Sequence, residues 1–349
     1  MIKKFFSIKI KRYLSIFFLW LRKTLISVDS ISINPIKKPV RKAIKITDYF
    51  LTKLFGSNFI EFEVSSACNA RCIFCLYPEI VKSGKRLKNM DAETFEKALE
   101  NIKQTHYSLL SFTPTTGDIF MNKDWFIYVD KIRALKNIKQ IFFYSNAILL
   151  NEENQDKLIE ILKKDKTHKI FALLFSVGGT DRETYNTMFG VDKFDVVKEN
   201  INNFLKKLQA EDIIVKVGLE FRLPKDTKLD FNKAKLLFNQ TDYEFCSIDV
   251  LYKYMYNNHI AKLNNLDYMV EVKNPKRACS YLHKTRYAAD GGVWADGCMI
   301  SEMPNDYSLK LGEVSDSIDL IEKNRKKIIT DWEQENKIPK PCQGCSFYR

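Results

Sequence analysis

Residues 59–75, FIEFEVSSACNARCIFC, run from a β-rich segment straight into a loop that holds three cysteines, Cys68, Cys72 and Cys75. Beyond the loop, MDAETFEKALENIKQ (90–104) reads as a helix with Asp91 as its N-cap. The same alternation continues down the chain. SLLSF (108–112) precedes KDWFIYVDKIRALKN (123–137), and KQIFFYS (139–145) precedes NEENQDKLIEILKKD (151–165). KIFALLFSV (169–177) leads to FDVVKENINNFLKKLQAE (194–211), DIIVKVGLEF (212–221) to DFNKAKLLFNQT (230–241), and CSIDVLYKY (246–254) closes the series. The strands are near-continuous apolar runs, the pattern of a parallel sheet buried on both faces. Six strands, each but the last followed by a helix, predict an α/β sheet or barrel. Ligand sites in such folds lie at the C-terminal ends of strands, and the cysteine loop stands at one.

With 349 residues the chain can bury one large core and a smaller one. Its net charge of +13 is concentrated, because residues 1–55 hold thirteen lysines and arginines against only Asp29 and Asp48. The rest is nearly neutral, which argues against a nucleic-acid groove across it. YLSIFFLWL (13–21) is shorter than the roughly 20 apolar residues of a spanning helix. RKTLIS follows it in place of a small-residue cleavage site. An apolar, aromatic run bracketed by cations reads as a helix lying on an anionic membrane surface. The alternative is a helix packed on the main domain with its charges in water. Pro35 and Pro39 separate this arm from a second helix, in which Val40, Ala43, Thr47, Phe50 and Leu54 recur at helical spacing. A cytoplasmic protein, peripheral on the cytoplasmic face of the membrane, is the expectation.

Three thiolates at C-x3-C-x2-C spacing can converge on one soft metal centre. Zinc would want a fourth Cys or His nearby, and the loop contains no His. An odd cluster without a secretory signal is a poor disulfide framework. Three thiolates on a four-iron cluster leave one iron open to a ligand that is not protein.

CNARCIFC (68–75), placed after a first strand, resembles the signature of the radical S-adenosylmethionine (radical SAM) superfamily. The resemblance implies a partial (β/α)6 TIM-like barrel in which Cys68, Cys72 and Cys75 bind a [4Fe–4S] cluster. It further implies that S-adenosylmethionine, bound at the open iron, is cleaved reductively to a 5′-deoxyadenosyl radical that abstracts a substrate hydrogen. A flavodoxin- or ferredoxin-type protein would supply the electron. Phe74 matches the aromatic residue set against adenine, although a hydrophobic loop anchor would look the same. Thr116, Gly117 and Asp118, in TTGDIF (115–120), stand where the family carries a Gly-Gly-Glu-Pro-like motif that meets the methionine amino group; Ile119 replaces its proline. Ser145 and Asn146 resemble the Thr-Asn-Gly turn after the third strand. Ser176 matches a serine aimed at the ribose. Thr180 to Glu183 also forms a capping box, so part of that last motif is helix initiation.

Cys279, Cys298, Cys342 and Cys345 are spaced C-x18-C-x43-C-x2-C, enough for a complete four-thiolate site. Structural zinc is one occupant. The pattern resembles the twitch domain, a shortened SPASM domain that holds one auxiliary [4Fe–4S] cluster. Twitch dehydrogenases acting on 2-deoxy-scyllo-inosamine, a sugar-like alcohol, are the likeness in spacing. This divides the chain into a basic helical arm (1–56), a barrel (57–255) and a twitch domain (256–349). Cys246, at the head of the last strand, is either a packed small hydrophobe or a thiol that returns hydrogen to a substrate radical. His106, His168, His259 and His283 occur singly and read as structural, with His283 the one to test. The expected activity is oxidation of an alcohol on a sugar-like or lipid-linked substrate. Epimerisation, dehydration, peptide maturation and a noncatalytic membrane-recruited metal-binding adaptor remain open.

Overall fold

The computed structural model describes residues 59–84, 87–105, 107–112, 116–224, 227, 229–238, 246–251, 277–295 and 306–345, together with Pro39. All but Pro39 lie in the second of two compact units, Phe59–Arg349. The helices anticipated within the basic arm (1–56), together with Cys298, His106 and His259, fall outside the described residues.

Six parallel strands appear where the apolar runs predict them. They are β1 (Phe59–Phe62), β2 (Leu109–Phe112), β3 (Gln140–Ser145), β4 (Ile170–Val177), β5 (Lys216–Arg222) and β6 (Cys246–Leu251). Each pairs with the next in sequence, as a singly wound barrel wall requires. The intervening helices are α1 (Tyr77–Lys82), α2 (Ala92–Gln104), α3 (Trp125–Ala134), α4 (Glu152–Lys164), α5 (Arg182–Phe189), α6 (Phe194–Ala210) and α7 (Phe231–Leu237). Side chains alternate between the two faces of each strand. Phe62 meets Phe95 of α2, Phe143 meets Trp125 of α3, and Phe175 meets Phe204 of α6. Those rows therefore face the helices. The opposite rows, including Glu61, Ser111, Ser176, Glu220 and Arg222, face the inner side of the sheet.

Helix starts follow local chemistry. Asp91 accepts the Thr94 amide at 2.8 Å, Asn151 the Asn154 amide at 3.1 Å and Asp230 the Lys233 amide at 3.0 Å. Each such cap is worth about 1 kcal/mol. At α5 the cap is Asp181, which accepts the Thr184 amide at 2.9 Å, one residue later than the Thr180 capping box implies. A carboxylate is as good an N-cap as a hydroxyl, and here its backbone has the extended geometry a cap needs.

The C-terminal segment extends the same sheet. β7 (Thr285–Tyr287) adds parallel to β1, and β8 (Gly292–Trp294) and β9 (Lys310–Glu313) follow antiparallel. The order is β6-β5-β4-β3-β2-β1-β7-β8-β9. The long helix α8 (Ile318–Glu335) covers this extension. From α8 the buried Arg325 donates to the carbonyls of Leu282 and Lys284 and to the Thr285 hydroxyl. Asn101 of α2 donates to the Val314 carbonyl at 2.7 Å, tying the extension to the barrel. None of the described helices is long and apolar enough to cross a membrane.

Candidate active site

The cysteine loop is built into the barrel mouth by contacts from three directions. The first is α5. Its last carbonyls, Met188 and Phe189, accept the amides of Ile73 and Arg71 at 3.1 and 2.8 Å. The helix ends at Gly190 with φ +63°, where an added Cβ would lie 2.6 Å from the Arg71 carbonyl oxygen. Only glycine permits both the left-handed turn and that approach.

The second contact is the loop after β2. Gly117 runs so close to the cysteine loop that a Cβ there would sit 1.9 Å from the Ser65 carbonyl oxygen. The next amide, Asp118, donates to the Ala67 carbonyl at 2.9 Å. The third is the turn after β3. The buried Asp118 carboxylate accepts the Ser145 hydroxyl at 2.9 Å, the Asn146 amide at 2.8 Å and its own helical turn's Phe120 amide at 3.1 Å. Asn146 in turn donates to the Asn69 side chain at 2.8 Å and points its amide at Cys68 Sγ, 3.6 Å away. Burial pushes the Asp118 carboxyl upward, against the pull of those three donors. Asp118 thus joins three loops, reaching the cysteine loop through its backbone amide and the turn after β3 through its carboxylate. Thr116 is buried beside it, and Ser176 is half-buried on the inner face of β4.

No disulfide joins the three loop cysteines. Cys68 Sγ accepts the Ala70 amide and Cys75 Sγ the Tyr77 amide, both at 3.4 Å. Burial, then the nearby Asp118 carboxylate, pushes the Cys68 thiol up to about 12. Burial and the neighbouring thiols raise Cys72 well above its ordinary value. Three crowded, half-buried thiols are poor thiolates by themselves, and a bound cationic centre reverses that balance. Among the described residues no three His, Cys, Asp or Glu side chains close tightly enough to ligate a single ion. A four-iron cluster binds thiolates at its corners and spreads them more widely than one ion does. The loop itself offers three thiols and no fourth Cys or His, a donor set that fits a four-iron cluster with one open iron better than tetrahedral zinc.

Phe74 is buried, with Phe189 edge-on at 5.6 Å and the Arg222 guanidinium 4.8 Å from its ring centroid. Arg222 and its partner Glu220, 3.3 Å away, end β5 on the inner face. Neither they nor Tyr185, stacked on Phe189, stands out in the sequence, because each reads as an ordinary strand or helix residue. Their meeting with the loop is a product of the fold.

The comparisons with known proteins agree with this geometry. The family model of the radical SAM superfamily matches residues 62–218, from the end of β1 to the middle of β5. Residues 62–218 are a radical SAM domain. GTP 3′,8-cyclase of Clostridium botulinum (strain Okra / Type B1) is 24% identical over 160 residues, 46% of this chain and 48% of the relative. A second GTP 3′,8-cyclase, from Desulforamulus reducens, is 24% identical over 149 residues, 43% of each chain. The chain thus spans about half the length of the curated relatives it matches. Among solved structures, native anSMEcpe with bound AdoMet superimposes with a TM-score of 0.51 at 16% identity, covering 82% of this chain and 89% of that one. That is a likeness of fold, and it runs well past the radical SAM domain itself.

In the C-terminal segment the structure places Cys279 just before a helical turn, Ser280–His283, and Cys342 at the end of another, Lys340–Cys342. The Ala278 amide donates to Glu333 of α8 at 3.1 Å, and the Cys345 amide to the Cys342 carbonyl at 3.3 Å. Burial, followed by the charge of Arg325, holds His283 below the usual histidine range. Cys246 opens β6, where its register partner is Val217 of β5.

Proposed function

We propose that this radical SAM protein abstracts hydrogen from a sugar-like or lipid-linked alcohol and oxidises it to a carbonyl. The observation that carries the reading is the three-thiol loop at the end of β1, held by Gly117, Asp118 and Asn146 at the barrel mouth. When bound there, the cluster and S-adenosylmethionine supply a primary carbon radical from one electron, and the protein's part is to hold, orient and exclude water. Cys68, Cys72 and Cys75 would hold the cluster. Thr116 to Asp118, Ser145, Asn146, Ser176 and Phe74 would line the cofactor. The inner face of the sheet, with Glu61 and Glu220 buried on it, offers carboxylates to substrate hydroxyls. A flavodoxin- or ferredoxin-type protein would donate the electron.

Cys279, Cys298, Cys342 and Cys345 would bind an auxiliary [4Fe–4S] cluster in a twitch domain. Such a cluster, with four protein thiolates, has no open iron and can accept the second electron of the oxidation. Epimerisation is the competing outcome, with Cys246 as hydrogen donor. Oxidation is favoured because a lone cysteine in a strand usually packs as a small hydrophobe rather than acting as a hydrogen donor. Cys246→Ala should then keep product formation within a few-fold. Solvent deuterium at the abstracted carbon, lost in Cys246→Ala, would establish an epimerase instead.

The basic arm, residues 1–56, would bring the enzyme to anionic membrane surfaces, each cation near such a surface contributing about 1 kcal/mol. Liposome sedimentation of the full chain against one starting near residue 55 tests this. Equal binding by both would assign the arm to the protein's own surface.

A further inference from the structure

Two polar groups flank the Cys72 side of the loop without an acceptor among the described residues: the Tyr185 hydroxyl, from α5, and Arg222 Nε, from β5. Both atoms are buried. A buried donor left unpaired costs about 1–3 kcal/mol, so two beside one loop mark a place where an acceptor belongs.

Their settings hold them there. Tyr185 is fully buried, stacked on Phe189 at 4.8 Å with Phe194 behind it. Burial, followed by the sulfurs of Cys72 and Cys68 and the Asp118 carboxylate, raises its phenol, so it stays protonated and able to donate. Arg222 lies on the Phe74 ring, between Cys72 and Cys75 in sequence, and is tethered by Glu220 on its own strand. Its charge favours the thiolate of Cys72, although burial and the other thiols outweigh it.

We propose that the Tyr185 hydroxyl and the Arg222 guanidinium raise the reduction potential of the cluster held by the cysteine loop, by supplying a hydrogen bond and a positive charge on its Cys72 side. This rests on the cluster reading above and assigns two residues that lie outside the signature. Reduction adds one electron to the cluster, from the 2+ to the 1+ state, with dithionite as donor and no proton transferred. The added negative charge is stabilised by a nearby cation and by a donor aimed at sulfur. Glu220 works against Arg222, because its carboxylate lies 3.3 Å from the guanidinium.

The test is a redox titration followed by electron paramagnetic resonance on the reconstituted full-length chain, with iron content matched between variants. Tyr185→Phe and Arg222→Met should each make reduction about tenfold less favourable, about 59 mV lower for a one-electron couple. Glu220→Gln should shift the potential the other way, and Arg222→Lys, which keeps the charge, should stay near wild type. The proposal is overturned if either Tyr185→Phe or Arg222→Met titrates with wild type. It is also overturned if Glu220→Gln moves in the same direction as Arg222→Met, since that pattern marks loosened packing rather than charge. A wild type with no reducible cluster removes the cluster reading itself, and this proposal with it.

Discussion

Replacing Gly117 by alanine puts the tightest contact of the site under direct strain. The new Cβ would lie 1.9 Å from the Ser65 carbonyl oxygen, whereas a relaxed carbon–oxygen contact is about 3.3 Å. The two loops must part by roughly 1.4 Å, and the obstacle is backbone, so no side chain can swing away. That displacement stretches the Asp118-to-Ala67 hydrogen bond from 2.9 Å to roughly 4 Å, beyond hydrogen-bonding range. The lost bond costs about 1 kcal/mol and the overpacking about 1–3 kcal/mol, together about 3 kcal/mol. For a unit spanning residues 59–349 the unfolding entropy is about 0.6 kcal/mol per degree, so the midpoint should fall by about 5 °C. Asp118 also carries Ser145 and Asn146, so the Asn146 contact to Cys68 should loosen and cluster incorporation should drop. Gly84→Ala is the control, since an added Cβ meets nothing within 4 Å and only its positive φ of 72° is strained, at about 1–2 kcal/mol. Thermal unfolding and iron content after anaerobic reconstitution read both effects. Equal melting and equal iron in the two variants would refute the close-approach argument.

Two further outcomes follow from the same structure. Glu61 is buried 3.4 Å from Lys284, and burial outweighs Lys284 and Arg286 to raise its carboxyl above the usual carboxylate range. A raised acid contributes stability that is fully present below its unfolded value and is lost as pH rises through the folded one. Glu61→Gln should therefore melt with wild type near pH 4 and above it towards pH 8; a difference that does not grow with pH would contradict this. At the second site, changing Cys279, Cys342 and Cys345 together to serine should remove about half of roughly eight iron atoms per chain. Tightly bound zinc lost in that variant, with iron unchanged, would reassign the site.

Much of the barrel was legible because its strands are buried on both faces. KIFALLFSV and KQIFFYS have no other reading than buried strands, and β4 and β3 lie within one residue of them. The cysteine loop was legible for a different reason, since its chemistry is packed into eight consecutive residues. Short elements were not legible. TRY, GVW and KLGE are three- and four-residue strands that exist only because β1 offers an open edge to β7. The helix YPEIVK starts two residues after Cys75 and lacks a side-chain cap, so Pro78 and Glu79 in its first turn were its only local signals. Gly117 and Asp118 were singled out for cofactor contact. The structure gives them a further task that no local pattern could specify, the joining of loops from three strands. Tyr185 and Arg222 reach the same loop from positions more than a hundred residues downstream, and only the topology makes them neighbours.

The central claim is that Cys68, Cys72 and Cys75 hold a cluster that cleaves S-adenosylmethionine. Anaerobically reconstituted chain, given S-adenosylmethionine and dithionite, should form 5′-deoxyadenosine, and the variant with all three cysteines changed to alanine should form none while keeping about half of its iron. Undiminished 5′-deoxyadenosine from that variant, or none from a wild type that carries its full iron, would contradict the account.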